Sequence, residues 1–507
     1  MNFAELLVGV GVTHSGGDPQ ISGLDYNSLR VKPGWVFVAM SGGSTDGNCY
    51  IDAALKNGAV GVVTDSASEQ PRTGVAWAVA PHGRKALAQM SANFHGHPAE
   101  KLKIIGVTGT NGKTTTSFLI ESILNYCGQR SALIGTIEYH VAGKVLPAPH
   151  TTPESLELNQ MFAEAVAAGA TDVVMEVSSH ALEQGRVWGI PYEVAVFTNL
   201  TRDHLDYHKD MESYFAAKAM LFHGTGAIQN PETKAPQTAV INIDDQYGRA
   251  LAASKPPSEQ VMSYGFDTGV FHTQNIDLQP NSTQFDVVAG AVSIRVTSSL
   301  IGKINIYNLL AAVAATFARG CPLEGIVEAI SRFKQVPGRF ERVDCGQPFT
   351  VVVDYAHTDD ALSNLTSIAR DFVSRTDAKG RVITVFGCGG DRDRTKRPLM
   401  GKAAGQGSDF VVLTSDNPRS EDPMAIIRDS LPGLQQSGVR YMVEPDRKKA
   451  IGIALAEAKT GDMVLIAGKG HEKTQTTRAG AFLFDDVQVA VEILQEMGHE
   501  QLTGEKR

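Results

Sequence analysis

Three glycines, a lysine and four threonines, two of them adjacent, are packed into Gly106-Val-Thr-Gly109-Thr110-Asn111-Gly112-Lys113-Thr114-Thr115. The run lies between an apolar segment, Ile104-Ile105-Gly106-Val107, and apolar residues at helical spacing, Phe118, Leu119, Ile123 and Leu124. A glycine-rich turn that opens a helix directs backbone N–H groups and the positive end of the helix dipole at one point, which suits a polyphosphate. A lysine there reaches the outer phosphate oxygens, and a threonine hydroxyl offers a hard oxygen to Mg²⁺. The loop departs from the GxxxxGK[ST] spacing, whose first glycine would fall on Val107. The strand–turn–helix setting keeps the chemistry, and ATP is expected to bind through Gly109, Thr110, Asn111, Gly112, Lys113, Thr114 and Thr115.

The elements that must position this loop follow from the patterning. From Lys103 to about Gln335, β-type runs at Val173–Met175, Val194–Phe197 and Val240–Asn242 alternate with helical stretches, as a parallel nucleotide-binding sheet requires. An alternating stretch around Phe285–Val296 reads as an appended antiparallel piece, and Asn308–Phe317 as a helix. Ahead of it, short runs at Val36–Val38, Val60–Val63 and Val75–Val79 form a small α/β unit, closed by a polar, proline-punctuated linker at 95–102. Val336-Pro337-Gly338-Arg339-Phe340 breaks the pattern again. Strands at Val351–Val353, Val382–Phe386, Phe410–Leu413 and Met463–Ile466 follow, each ending in a polar loop. Ligands of an open parallel sheet bind at the carboxyl ends of its strands, so these four loops are expected to make a second ligand surface. The expected fold class is α/β, in three domains at 1–97, 98–335 and 336–507.

A chain of 507 residues exceeds one ordinary core, which agrees with three domains. Its net charge of −9 disfavours nucleic acid as a partner. The N-terminus lacks a basic leader, and no apolar run reaches the ~20 residues of a membrane span, so a cytoplasmic protein without an integral membrane segment is expected. Five scattered cysteines with no CxxC pair support neither a disulfide framework nor a structural zinc site.

Other segments, taken alone, have ordinary readings. His204 reads as a hydrogen-bonded structural histidine, Lys218 as a helix lysine snorkelling past apolar neighbours, and Arg339 as a linker ion pair. Asp391–Arg397 reads as a solvated charged loop, and Asn417-Pro418-Arg419 as a turn with an exposed arginine.

Their order changes this. GTNGKTT at 109–115, His150-Thr-Thr-Pro153, Glu176-Val-Ser-Ser-His180, Asn199-Leu-Thr-Arg-Asp-His-Leu-Asp-Tyr-His208, Pro337-Gly-Arg-Phe-Glu341, Asp354-Tyr-Ala-His357 and Gly468-Lys-Gly-His-Glu472 span nearly the whole chain. Together they resemble the Mur ligase family, ATP-dependent amide-forming enzymes of peptidoglycan precursor synthesis. The resemblance implies a small N-terminal domain for a UDP-sugar, a central P-loop ATPase domain and a C-terminal Rossmann-like domain for an amino acid. It implies that ATP phosphorylates a carboxylate and that an amine displaces the phosphate, a reaction in which positioning and charge neutralisation dominate.

By the same resemblance Lys113, Glu176, His204 and Lys218 are catalytic. Thr115 and Glu176 would hold one Mg²⁺ and His204 a second, with a CO₂-derived carbamate on Lys218 as a further oxygen ligand. Asn305, Arg339 and Asp354 would contact ATP beside the loop. Ser28, Arg30 and the Thr45–Asn48 turn would take the UDP end of UDP-N-acetylmuramoyl-L-alanyl-D-glutamate, although the family's usual Asp-Ser-Arg and Asp-Gly-His stand here as Asn27-Ser28-Leu29-Arg30 and Asp46-Gly47-Asn48. Thr151, Thr152, Ser178, Gln184 and Arg186 would take the rest. Asp416-Asn417-Pro418-Arg419 is the tetrapeptide the family associates with meso-2,6-diaminopimelate, whose distal carboxylate the Arg419 fork would pair with. Arg392 would hold the same region, and Gly468 and Glu472 the ammonium end. The same ligation with L-lysine, a folylpolyglutamate synthase, a P-loop phosphotransferase and a non-catalytic ATP-binding regulator are the competing readings. The chain is expected to act as a monomer.

Overall fold

Continuous runs of branched apolar residues make the central sheet, because its strands are covered on both faces. In the computed structural model, which describes residues 1–43, 45–224, 235–279, 282–375 and 380–499, Lys103–Thr108 lies between Asp172–Glu176 and Tyr192–Phe197, parallel to both. Ser131–Ile134 extends one flank, Thr238–Asn242 and Gln260–Tyr264 the other, all parallel. Ile105 and Val107 point to one face, where the helices Lys113–Tyr126 and Lys303–Ala318 pack; Ile104 points to the other, with Leu221 of the helix Met211–His223. Residues 309–316 are buried without interruption, as a helix enclosed on all sides requires. The antiparallel piece is present as Phe271–Gln279, Ser282–Ala289 and Val292–Ser298.

The C-terminal sheet runs Glu341–Val343, Thr350–Asp354, Met463–Ala467, Val382–Cys388, Phe410–Ser415, Arg440–Val443, with only the first strand antiparallel. The four loops foreseen after residues 353, 386, 414 and 467 therefore meet at one edge. Arg447 and Asp486, both without exposed side-chain surface, pair at 2.6 Å, and Arg447 also donates to the Ala467 carbonyl at 3.1 Å. This pair props the loop that begins at Gly468; removing one partner of such a pair costs about 3–5 kcal/mol.

The N-terminal sheet runs His14–Ser15, Ala76–Val79, Gly61–Thr64, Trp35–Ala39, Gly23–Asp25, parallel except for its first strand. It is tied to the central helix Ser155–Ala167 by Glu157, which accepts from the Tyr26 hydroxyl at 2.9 Å and from Arg30 at 3.3 Å. Two hairpins were not foreseen, Glu138–Val141 with Lys144–Pro147 and Thr474–Thr477 with Gly480–Leu483. Their strands are four residues long, and Thr474–Thr477 is wholly polar, too little pattern to read a strand from. The five cysteines are free thiols, with Cys321, Cys345 and Cys388 buried. Among the described residues no helix is long and apolar enough to cross a membrane.

Candidate active site

The loop between Thr108 and Lys113 is shaped by its glycines. Gly109 and Gly112 have φ of +148° and +85°, and a Cβ on Gly109 would stand 1.9 Å from the Thr198 hydroxyl oxygen. Only glycine fits there. The end of the neighbouring strand scaffolds the loop: Thr110 N–H donates to the Asn199 carbonyl at 2.9 Å, Asn111 N–H to Asn199 Oδ1 at 2.9 Å, and Thr198 Oγ1 to the Asn111 carbonyl at 2.7 Å. Lys113, the first residue of its helix, turns Nζ onto the Gly109 and Thr110 carbonyls at 2.9 and 2.8 Å.

A cavity of about 260 Å³ opens over this loop. Thr110, Asn111, Gly112, Lys113, Thr114, Thr115, Thr151, Glu176, Ser178, His204, Lys218, Asn305, Arg339 and Asp354 all line it, so most of the ATP and catalytic candidates share one space. Glu176 is fully buried at the end of its strand; it accepts from Thr136 N–H at 2.8 Å, Thr136 Oγ1 at 2.9 Å and Thr114 Oγ1 at 3.2 Å. Both threonines line the cavity, but they stand differently toward this carboxylate. The hydroxyl hydrogen-bonded to Glu176 is that of Thr114, the residue directly after Lys113 in the first helical turn.

Lys218 is 1% exposed, under the Tyr214 ring at 4.7 Å, and donates to the Gly109 carbonyl at 2.8 Å. Burial, reinforced by the charge of Lys113, drives its pKa well below the usual lysine value. His204 takes a left-handed backbone, φ +55°, with Nε2 3.4 Å from Asp203 and its ring edge-on to His180. Burial lowers its pKa against the pull of Asp203, which favours a neutral imidazole.

The C-terminal lobe closes the cavity. Arg339 lies 4.5 Å over the Tyr355 ring and donates to Thr114 Oγ1 at 3.1 Å. Asp354 accepts from the backbone N–H groups of Phe340 and Ala356 at 2.7 and 2.8 Å, fixing the loop that carries Arg339. Asn305 donates to the Ile301 carbonyl and accepts from Asn308. Asp360, which sequence reasoning missed, accepts from the Asn111 side chain at 2.7 Å across the seam. Lys396 approaches Asp203 at 3.9 Å and Arg202 donates to Thr395 at 2.5 Å, joining two segments singled out in sequence whose pairing it did not indicate.

Thr151, Thr152, Ser178, Gln184 and Arg186 come together beside Glu176. Thr151 meets Thr136 Oγ1 at 3.1 Å, Thr152 donates to the Glu176 carbonyl at 2.9 Å, Ser178 caps the helix Ser179–Gln184, and Arg186 donates to Gln184 at 2.7 Å and to the Thr152 carbonyl at 3.1 Å. Ser28 and Arg30 stand apart on the N-terminal lobe, outside the cavity lining. Arg30 is held by Asp25 at 2.8 Å and over the Tyr26 ring at 5.1 Å. The buried Asn48 is spent on the turn itself, donating to Asp46 and Asp65 and accepting from Thr64.

At the C-terminal sheet edge Arg392 and Arg419 flank Gly389: a Cβ there would stand 2.9 Å from Arg419 Nη1 and 3.8 Å from Arg392 Cγ. Arg419 donates to the Gly390 carbonyl at 2.8 Å, and a Cβ on Gly390 would meet the Pro418 carbonyl at 2.0 Å. Asn417 donates to Glu472 at 2.7 Å, and a Cβ on Gly468 would meet Asp416 Oδ2 at 2.5 Å. The fully buried Lys469 faces Glu472 at 3.2 Å; lying between two glycines it reads in sequence as an exposed loop lysine. All seven candidates for the amino-acid end thus sit on three contacting loops.

Three family descriptions match in chain order: the Mur ligase family catalytic domain at 20–95, the Mur ligase middle domain at 107–316, and the Mur ligase glutamate ligase domain at 338–470. The chain is 51% identical over 489 residues, 95% of each protein, to UDP-N-acetylmuramoyl-L-alanyl-D-glutamate–2,6-diaminopimelate ligase of Solibacter usitatus. A solved structure of a ligase of that name is 35% identical, with a TM-score of 0.65 over 94% of this chain and 96% of that one. A MurF ligase from Thermotoga maritima, solved in complex with ADP, matches at 18% identity and a TM-score of 0.62 over 93% and 97%, and shares the fold. Extended over nearly full length on both sides, these likenesses show that the chain belongs to the Mur ligase family.

Proposed function

We propose that this protein ligates meso-2,6-diaminopimelate to UDP-N-acetylmuramoyl-L-alanyl-D-glutamate with ATP, through an acyl phosphate, giving the UDP-N-acetylmuramoyl tripeptide, ADP and phosphate. The observation that carries the reading is that residues 110–115, Glu176, His204 and Lys218 line one cavity closed by Arg339, while Arg392 and Arg419 flank Gly389 at the C-terminal sheet edge. The name of the half-identical relative supports it.

The loop N–H groups and Lys113 hold the phosphates of ATP and offset their charge. Arg339, reaching Thr114 from the C-terminal lobe, adds a second cation only when the lobes are together. Thr151, Thr152, Ser178, Gln184 and Arg186 orient the dipeptide carboxylate toward the cavity. The acyl phosphate forms there; the diaminopimelate amine attacks its carbonyl carbon, loses a proton, and phosphate leaves from the tetrahedral adduct.

The oxygen set of Thr114, Thr115 and Glu176 fits Mg²⁺, a hard cation that keeps several waters and phosphate oxygens. When bound, Mg²⁺ supplies charge neutralisation between the two anionic reactants. His204, kept neutral, and a carbamate on Lys218 fit a second ion; the buried neutral amine of Lys218 adds to CO₂ with release of one proton. The three lobes are assigned to 1–97, 98–335 and 336–507. One chain supplies every site residue, which supports a monomer, and substrates such as ATP and a nucleotide sugar support a cytoplasmic setting.

The test is to supply the protein with the UDP-dipeptide, ATP and Mg²⁺ and either meso-diaminopimelate or L-lysine, following phosphate release and product mass. Tripeptide with diaminopimelate alone is expected; preferential incorporation of L-lysine would overturn the assignment.

A further inference from the structure

We propose that Arg397 and Glu421 are positioning residues that fasten the loops of Arg392 and Arg419 into one carboxylate-binding fork, an assignment that rests on the diaminopimelate reading above. Arg397, in the first turn of the helix Lys396–Gly407, has no exposed side-chain surface. A guanidinium so placed must be paired. It donates to Glu421 at 2.7 and 3.0 Å, to Asp429 at 2.8 Å and to the Gly389 carbonyl at 3.2 Å. Arg394, largely exposed, approaches the same two acids at 3.5 and 3.4 Å, so two cations balance two carboxylates.

Glu421 is the joint. Besides Arg397 it accepts from Asp391 N–H at 2.7 Å, and Asp391 in turn accepts from Ser420 Oγ at 2.6 Å and Ser420 N–H at 3.1 Å. Glycine 390 N–H donates to the Asn417 carbonyl at 2.9 Å, completing the stitching of one loop to the other. Asp391 and Arg419 have φ of +53° and +52°, a backbone that residues with side chains seldom adopt and that persists only where the surroundings impose it. The hydrogen bonds of the clamp therefore end on the backbone beside Arg392 and Arg419, where they set the spacing of the two guanidinium groups. The Glu421 carboxyl is held down to about 2 by the Arg397 hydrogen bonds, so the clamp is charged throughout the working pH range.

Glu421→Gln keeps the volume and removes the charge; Ser420→Ala, at an exposed position, removes one stitch without threatening the core. Steady-state KM for meso-diaminopimelate, ATP and the UDP-dipeptide, with melting temperature, is measured for both variants and for Arg419→Ala. Glu421→Gln is expected to raise the diaminopimelate KM about tenfold and Ser420→Ala about threefold, leaving the other two constants within about twofold. Equal rises in all three constants with a lowered melting temperature would show a merely structural pair and overturn the proposal. If Glu421→Gln does not fold, Ser420→Ala decides by the same criterion. A raised KM in Arg419→Ala with none in the clamp variants overturns the clamp and leaves the pocket standing; no rise in Arg419→Ala overturns the pocket itself.

Discussion

Lys113 and Lys218 donate to the same acceptor: their Nζ atoms lie 2.9 and 2.8 Å from the carbonyl oxygen of Gly109. Two ammonium groups cannot share one carbonyl cheaply in a buried site, and for both lysines burial lowers the pKa, with Lys113 adding to the effect on Lys218. The loop therefore draws one lysine from its own helix and another from 105 positions later in the chain onto the same oxygen, and burial favours the neutral amine more strongly at Lys218.

The neutral amine sets the first expectation. Lys218→Ala should lose more than about 99% of ligase turnover while keeping its fold, and acetate or formate should restore part of it by occupying the carbamate's place. Turnover of the unaltered protein should fall in CO₂-depleted buffer and return with bicarbonate. Full activity of Lys218→Ala under depletion would remove the carbamate.

Thr114 and Thr115 are separable in the same way. Because Thr114 Oγ1 touches both Glu176 and Arg339, Thr114→Ala should lower kcat about tenfold to a hundredfold and weaken the dependence on Mg²⁺ concentration. Thr115→Ala should cost less. The reverse order, measured in a Mg²⁺ titration of turnover, would give the metal to Thr115 instead.

What was legible follows from the range of each contact. Gly109, Gly112 and Lys113 fall within five positions, and a loop that short has one way to present N–H groups to a phosphate. Four of the six C-terminal strands were equally readable, because each is an apolar run with its polar loop attached; Glu341–Val343 and Arg440–Val443 are short, half exposed and carry no such run. Asp360 was not: its partner Asn111 is 249 positions away, and nothing in Asp359-Asp360 says that a helix start will dock on the phosphate loop. Asn48 shows a different limit. A turn residue reads as available for ligand until the fold shows Thr64 and Asp65 taking its side chain.

Asp360 joins the lobes through Asn111 and through Thr201, whose hydroxyl lies 3.4 Å away. Asp360→Ala should loosen the closed arrangement, since a hydrogen bond to a charged acceptor is worth about 1.5–3 kcal/mol. A larger radius of gyration in X-ray scattering without ligand and a several-fold higher KM for ATP are expected. An unchanged profile together with unchanged ATP kinetics would deny it the role of a latch.

His140 gives a pH dependence away from the reacting groups. It lies between Glu121 on the phosphate-loop helix, at 2.7 Å, and Glu138, at 2.9 Å. Burial opposes its charge, but the hydrogen bonds and charges of Glu121 and then Glu138 prevail and lift its pKa to about 9. A histidine raised on folding contributes stability that is fully present below its unfolded pKa, about 6.5, and is lost as pH rises through 9. The melting difference between the unaltered protein and His140→Gln should therefore be largest at pH 6 and vanish above pH 9. A difference that grows with pH would reverse the assignment of charge.

The proposed specificity turns on Arg419. Its Nη1 is anchored on the Gly390 carbonyl beside Arg392, so the guanidinium meets a carboxylate in a fixed plane. Arg419→Ala should raise the KM for meso-diaminopimelate tenfold to a hundredfold, from about 1.5–3 kcal/mol of lost charge-assisted bonding, and leave that for ATP nearly unaltered. Arg419→Lys should rescue poorly, because an ammonium restores the charge without the fork. L-lysine has no distal carboxylate and brings an ammonium toward two guanidinium groups, so it should be a very poor substrate of the unaltered protein. It need not improve in Arg419→Ala, where Arg392 still stands across Gly389. Efficient L-lysine incorporation by the unaltered protein, or diaminopimelate kinetics indifferent to Arg419, would move the carboxylate-binding site elsewhere on the sheet edge.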